Sequence, residues 1–523
     1  MGRGTSISIV LLFLLFIFLP PFLWIITPDA KVSTFEKRRL ATLPSCNSTW
    51  QCVVSYPKQL ELYYSDHFGL RDQLIRLHSY VYLKVFNKSS NANVTIGSDN
   101  WLYYNADHTL VDFLGLWKAD IQTLESWRRV LQDRREWLAD KGIKYLLMIV
   151  PFKMMVYPEY LPSRIRRMAD VPLMLDFLEY LKNNGGYPAV VDILHDLRAG
   201  NVNQPTFFRT DTHWNMEGAY RAYLAIMQRI RQWYPEIKIV DDDERIIHQK
   251  EYIGDLSTML NLSVTLKEQA IDVQIKNTCK GSDSIIFPLK QLTPEGDPHA
   301  IEPDCPDKLH TLLVIHDSYG SFIRPYFDAS FKKVLYAHSA FQHVKGLIKK
   351  EHPHIIIDER AARYFARMLY PDPEIESYVM QKHFQQSKDQ RFFIHSDMGS
   401  DQFVSINDVE ISQENDGLYF RATGNDPFVE IRFKDGFKPD CFLVHIAITS
   451  SVDTTMQFFY TTVKRDDFSS EMAVSKKITK GFNEYLFRLP HPDTQGKIRF
   501  DPGMLVGEYT VHSLSIKGER YGI

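Results

Sequence analysis

The hydrophobic pattern begins with an unbroken apolar run. From Ser6 to Ile26, "SISIVLLFLLFIFLPPFLWII", no residue is charged, and a helix of that length reaches across a bilayer. Pro20 and Pro21 kink such a helix, which membrane helices tolerate. The run is longer than the apolar region of a cleaved signal, and "TPDAKV" after it is a poor cleavage site, so an uncleaved anchor is expected. Residues 28–60 read as an extended tether with a polar loop. Beyond them Leu70, Leu74, Leu77 and Val81 recur at helical spacing, and Asp66 and Arg71 are expected to brace that helix.

From there the period alternates. "VTIGSDNWLYY" (94–104) predicts a hairpin around Ser98 to Asn100, followed by an amphipathic helix over 118–141. "IKYLLMIVP" is a short continuous apolar run bounded by Gly142 and Pro151, as a buried parallel strand requires. Helices are expected at 171–184, 216–234, 320–330 and 340–350, and strands at "PAVVDI", "TLLVI" (311–315), "KVLYA" and "HIIID". Strands alternating with helices predict a three-layer α/β domain with a mainly parallel sheet. After about residue 395 the pattern becomes short alternating strands between turns, which predicts an antiparallel β-sandwich. The expected organisation is an anchor or signal segment at 1–30, an α/β domain at 31–395 and a sandwich at 396–523.

Charge and cysteines change this picture little. The net charge of -3 over 523 residues carries no broad basic footprint for nucleic acid. Cys46 and Cys52 bracket a short loop, Cys279 and Cys305 a longer one, and Cys441 is left over. Pairing in an exported chain is open and its connectivity is not legible. No CxxC spacing suggests a zinc ribbon. Arg3 precedes the apolar run and Lys31, Lys37, Arg38 and Arg39 follow it, so charge does not fix its orientation.

The candidate chemistry lies in "RTDTHWNMEG" (209–218). Asp211 or Thr212 could cap a helix with His213 at the surface, or Asp211 could orient His213 as a general base. Ligands of an α/β sheet bind at the carboxyl ends of its strands. There "LLVIHDSYGSF" places Ser318 between a strand and a helix, where backbone N–H groups of Ser318 and its successors could stabilise an oxyanion. Serine needs a base to take its proton. The order Asp211, His213, Ser318 is unusual, but a triad is recognised by roles rather than order. A metal site on Asp211 and His213 lacks a third ligand of matching spacing.

"DTHWNMEGA", "HDSYGSFIRPYF", "PFKMMVYPEYLP", "YIGDLSTML" and "DHFGLRDQL…IGSDNWLYY" resemble, in the same order, bacterial alginate O-acetyltransferases over roughly residues 35–370. The resemblance implies a permuted SGNH-hydrolase-like (flavodoxin-like) domain, with Ser318 as nucleophile, His213 as base and Asp211 as orienter. It also implies an exported chain with its catalytic domain in the periplasm, a polysaccharide acceptor, and an acetyl donor passed from a membrane-bound partner, without cofactor or metal. His316 stands where the family usually has Gly and would crowd the oxyanion site. Lys153, Tyr157, Arg324 and Tyr326 are candidates to line the substrate cleft, with loop packing as the alternative for the first two. Glu359 and Arg360, just past "HIIID", are candidates either for the site or for a structural ion pair. The same triad serves an acetylesterase, and a non-catalytic scaffold is the further alternative. The aromatic strands of the sandwich and "RFDPG" (499–503) leave carbohydrate binding and a purely structural role both open.

Overall fold

The computed structural model describes residues 3–26, 31–33, 38–46, 49–166, 171–185, 189–199, 204–276, 300–301, 309–365, 367, 369–394, 403–414, 416–424, 426–432, 441–462, 465–489 and 494–519. The parallel sheet forms as the alternation predicts. Its strands run Val190–Val191, Lys144–Val150, Ile355–Ala361, Thr311–Ile315 and Lys333–Ala337 in spatial order, all parallel, with Ala300–Ile301 antiparallel at the edge. The central strands are apolar on both faces because helices cover both: Leu312 to Ile315 and Ile355 to Ile357 are fully buried. Strand Thr311–Ile315 lies between Ile355–Ala361 and Lys333–Ala337, so its carboxyl end, where Ser318 follows, opens at the centre of the sheet.

Helix Met216–Ile230 packs on helix Gly320–Ser330 through Tyr220, Tyr223 and Tyr326, whose rings lie 5.2 to 5.4 Å apart across the contact. That packing brings the amino ends of both helices, and the loops before them, to one place. Helix Ile121–Ala139 starts on Asp120, whose side chain accepts the Thr123 N–H. The expected 340–350 helix is broken in two, a short 3-10 turn at Phe341–His343 and then Lys345–Glu351.

The β-sandwich has its own core, separate from that of the α/β layers. One sheet orders Val409–Glu414, Gly417–Ala422, Glu508–Glu519, Cys441–Ser450 and Gly481–Leu489; the other orders Phe403–Asn407, Phe428–Arg432, Thr494–Asp501, Thr454–Thr462 and Ala473–Ile478. Strand Gln390–Ile394 pairs with Glu508–Glu519, so the sandwich begins before residue 396. The two units are locked by a buried network: Arg488 of the sandwich donates to Asp133 of the α/β domain at 2.7 and 3.0 Å and to Glu519 at 2.8 Å. The two ring nitrogens of His383 face Glu519 and Glu136 at 2.5 and 2.6 Å. Buried Cys441 donates to Glu519. A cavity of about 880 Å³ lies along this junction.

One expectation near the amino end fails. Residues 28–60 are not an extended tether throughout, because helix Trp50–His67 begins inside them. Pro57 sits in the interior of that helix. The Leu70, Leu74, Leu77, Val81 stripe is helical beyond Leu70, in Arg71–Phe86, yet Leu74 and Leu77 face outward. Asp66 accepts the Ala41 N–H and ties helix Trp50–His67 to the segment before it. A disulfide joins Cys46 to Cys52; Cys279 and Cys305 lie outside the described residues.

Candidate active site

The local chain around His213 is held before any catalytic contact is considered. Asn215, not Asp211 or Thr212, caps helix Met216–Ile230, accepting from the Glu217 and Gly218 N–H groups. Asp211 is therefore free of capping, and its two oxygens are used otherwise. Oδ1 accepts from His213 Nδ1 at 2.7 Å and from the His213 backbone N–H at 3.0 Å. Oδ2 accepts from the Tyr252 hydroxyl at 2.9 Å and the Asp255 N–H at 2.8 Å. Burial alone would raise the Asp211 pKa, but these bonds and the neighbouring imidazole outweigh it and hold the carboxyl well below its usual range.

With Nδ1–H given to Asp211, His213 Nε2 is left as an acceptor. It lies 2.7 Å from Ser318 Oγ. Burial would lower the imidazole pKa, but the hydrogen bond and charge of Asp211 win and raise it above the ordinary value. Tyr319 and Phe322 flank the ring at 4.7 and 5.8 Å between centroids. The two loops are also stitched reciprocally. Trp214 Nε1–H donates to the Tyr319 carbonyl at 3.1 Å, and the Tyr319 hydroxyl donates to the Thr212 carbonyl at 2.9 Å. Trp214, the aromatic residue after His213, thus helps fix the spacing between His213 and Ser318.

On the serine side, Asp317 braces the turn. Its Oδ2 accepts from the Ala361 N–H and its Oδ1 from the Tyr319 N–H. The Tyr319 N–H is thus spent, and it drops out of the row of donors expected for an oxyanion. His316 does not crowd the nucleophile. Its ring is buried against Tyr336 and His338, and Nδ1–H donates to the Asp317 carbonyl. Burial pushes its pKa down to about 4, so it is neutral. The room comes from Gly320, where a Cβ would fall 2.4 Å from the His316 Cβ. Glu359 and Arg360 do not pair with each other, because successive strand residues point to opposite faces. Arg360 pairs with Asp358 at 2.8 Å, while buried Glu359 accepts the Asp317 N–H.

Of the four cleft candidates, three are turned inward. Lys153 is buried, and its ammonium donates to the carbonyls of Phe208, Arg209 and Asp211. It pins the loop that carries Asp211. Burial lowers its pKa to about 8. Tyr157 donates to or accepts from Thr206, and Tyr326 donates to the Met216 carbonyl. Arg324 is half-buried and lies over the Tyr336 ring, 3.5 Å from His316 Nε2.

The residues that sequence reasoning missed come from elsewhere in the chain. Tyr252 and Asp255 flank Asp211. Asp255 Oδ1 accepts the Thr212 N–H at 2.7 Å, and Oδ2 lies 3.9 Å from His213 Nδ1. Burial, then the charge of Asp211, raises its pKa to about 6. Asp255 belongs to the stretch "YIGDLSTML", so a signal existed, though nothing local linked it to His213. Arg363, beyond the end of strand Ile355–Ala361, lines a narrow recess with Lys153, Tyr103, Tyr104, Thr212 and Tyr319, so Lys153 borders this recess while its ammonium is spent on backbone carbonyls. Asp211, His213 and Asp255 supply the three metal-type ligands that spacing lacked. They do not suit a cation, because each Asp211 oxygen already accepts two bonds and His213 Nε2 faces Ser318.

The structure thus sets a serine, a histidine and an aspartate, hydrogen-bonded in series, at the carboxyl end of a parallel sheet. Residues 94–281 match the family described as SGNH hydrolase-like domain, acetyltransferase AlgX. Over 211 residues the chain is 29% identical to "Probable alginate O-acetylase AlgJ" of Pseudomonas syringae pv. tomato, covering 40% of this chain and 51% of that one. The chain therefore spans about half the length of the curated relatives it matches. Among solved structures, the O-acetyltransferase domain of Pseudomonas putida AlgJ aligns with a TM-score of 0.36 at 18% identity, over 55% of this chain and 98% of that one. Pseudomonas aeruginosa AlgX aligns with a TM-score of 0.35 at 12% identity, over 82% and 94%. The resemblance to alginate O-acetyltransferases is thus carried by the sequence matches. The family match takes in Asp211 and His213 and stops short of Ser318.

Proposed function

We propose that the protein is an O-acetyltransferase that acetylates hydroxyls of an exported polysaccharide, alginate or a similar polymer, through an acetyl-Ser318 intermediate. The observation that carries this reading is the unbroken chain from Ser318 Oγ through His213 to Asp211, with 2.7 Å at each link. Ser318 Oγ attacks the acetyl carbonyl of a donor ester while its proton passes to His213 Nε2. The tetrahedral intermediate collapses, the C–O bond to the donor breaks, and the departing alcohol takes that proton back. A sugar hydroxyl then gives its proton to His213, attacks the acetyl-serine and releases Ser318. Asp211 stabilises the imidazolium formed in each half.

Water in place of the sugar makes the same site an esterase. A bound acceptor outcompetes water by gaining effective concentration. The attached sandwich serves that end if it holds polymer. The apolar helix Arg3–Ile26 supports anchorage in the inner membrane, with the domains on the periplasmic side where an exported polymer emerges and a membrane-bound partner could hand over acetyl groups. The test supplies a chromogenic acetyl ester with oligosaccharides and reads acetyl mass gained by the sugar. Ser318→Ala and His213→Ala should each abolish turnover. Acetate release indifferent to every oligosaccharide would assign an esterase, and near-wild-type turnover by His213→Ala would reject the triad.

A further inference from the structure

The two helices after the apolar run carry amphipathic stripes that the described residues leave largely exposed. On Trp50–His67, the residues Trp50, Val53, Val54, Pro57 and Leu60 fall within an arc of about 120° at 3.6 residues per turn, which Glu61, paired with Lys58, enters one turn beyond Pro57. Trp50 is 80% exposed and Val54 61%. On Arg71–Phe86, the residues Leu74, Leu77, Val81 and Val85 share an arc of about 80°, and Leu77 is 58% and Val85 69% exposed. The opposite side of that helix does the packing on the body: Ser79 is buried, and Leu83 joins the cluster of Val94, Leu102 and Leu256. Exposed apolar side chains clustered in this way mark an interaction surface.

Its position says what covers it. The turn between the two helices sits against the apolar helix Arg3–Ile26. Gly69 passes so close that a Cβ there would fall 2.2 Å from the Pro20 carbonyl oxygen. Trp24 packs edge-on against Tyr63 and Tyr64, at 6.1 and 5.5 Å. Pro20 lies six residues, about 9 Å along the axis, before that helix ends at Ile26. If Arg3–Ile26 spans the bilayer, whatever touches it at Pro20 lies at the depth where interfacial helices bury their apolar faces. Lys84 borders the second stripe, where a long basic side chain reaches past apolar surface to headgroups, while Lys58 beside the first pairs with Glu61 at 3.1 Å.

We propose that helices Trp50–His67 and Arg71–Phe86 lie in the membrane surface as a second, monotopic attachment, with lipid as the occupant of their outer faces. This rests on the reading of Arg3–Ile26 as a membrane span. The attachment holds the α/β domain at the bilayer instead of on a free tether, because Leu83 packs on the same cluster as strand Leu102–Tyr104, whose Leu102 N–H donates to the Arg209 carbonyl beside the triad loop.

The test places the full chain in vesicles of phosphatidylethanolamine and phosphatidylglycerol that carry a photoactivatable group on the upper acyl chain. Lipid adducts are then mapped by mass spectrometry. Adducts are expected on residues 50–67 and 71–86 as well as on 3–26. Leu77→Glu with Val85→Glu should lower adducts on 71–86 by about tenfold or more, since each change withdraws a buried aliphatic group. Adducts on 3–26 and turnover of a small acetyl ester should be unchanged, which also reports that the variant folds. Val54→Glu on the other helix is an independent check. Adducts on 3–26 alone would overturn the proposal and leave a protein partner as the cover. Adducts nowhere would overturn it together with the span it rests on.

Discussion

Asp255→Asn isolates one electrostatic contribution to the proposed base. The amide keeps the acceptor for the Thr212 N–H, and the backbone N–H of residue 255 still donates to Asp211. What is removed is a negative charge 3.9 Å from His213 Nδ1. At an effective dielectric of about 20, two unit charges at that distance interact by about 4 kcal/mol. The Asp255 side chain is 30% exposed, and solvent screening reduces the sum to on the order of 1.4 kcal/mol, about one pH unit. The His213 pKa is raised first through its bond to Asp211, then by the charge of Asp211, and then by Asp255. A base must be neutral to act, so activity falls as pH drops through that raised value. In the wild type the acidic limb of kcat/KM should therefore lie above the ordinary imidazole value of about 6.5. Asp255→Asn should move it down by about one unit and lower the plateau by up to about tenfold, because the imidazolium in the transition state loses the same support. Asp255 itself titrates near 6, so the wild-type limb should be steeper than the single-proton limb of the variant. The assay is hydrolysis of a chromogenic acetyl ester from pH 4.5 to 9. A limb that does not move, or that moves upward, would refute the coupling of Asp255 to His213.

Other outcomes follow from the same geometry. Asp211→Asn should cost activity by about 10² to 10⁴, since the amide neither fixes the tautomer nor stabilises the imidazolium; ester turnover at pH 8 checks it. Lys153→Met should leave three carbonyls without their donor and destabilise the α/β domain by about 2 to 4 kcal/mol, read as a lower midpoint in urea. Arg488→Met should leave Asp133 and Glu519 buried without their cation, at about 3 to 5 kcal/mol, and separate the unfolding of the sandwich from that of the α/β domain in calorimetry. The junction should also respond to pH. Burial would lower the His383 pKa, but bonds to Glu136 and Glu519 raise it to about 9, so its contribution is full below about 6.5 and is lost as pH rises through about 9. Burial would raise Glu519, but His383 and Arg488 hold it at about 2, so its contribution is lost as pH falls from the ordinary carboxylate range toward 2.

Much of the architecture is local and was legible for that reason. Strands Thr311–Ile315 and Lys333–Ala337 and helix Gly320–Ser330 fall where the apolar periods place them, because period and length are set by backbone geometry within a few residues. The contact of Asp211 with His213 is of the same kind, two residues apart in sequence. The 105-residue separation between His213 and Ser318 is not local. The strand-helix pattern could put both at sheet ends, but only the strand order and the packing of helix Met216–Ile230 on Gly320–Ser330 set them at bonding distance. Tyr252 and Asp255, about forty residues past Asp211, reach it through a loop whose closure no short-range pattern encodes. Lys153, Tyr157 and Tyr326 looked like cleft residues by their position after strands or on the nucleophile helix; the folded chain spends their polar atoms on its own backbone and on Thr206, since a buried donor must find a partner. The stripe at Leu74 and Leu77 makes the same distinction from the other side. Sequence determined that it is amphipathic, and tertiary structure decided that its apolar face points away from the core, because Ser79 and Leu83 on the opposite side take the packing.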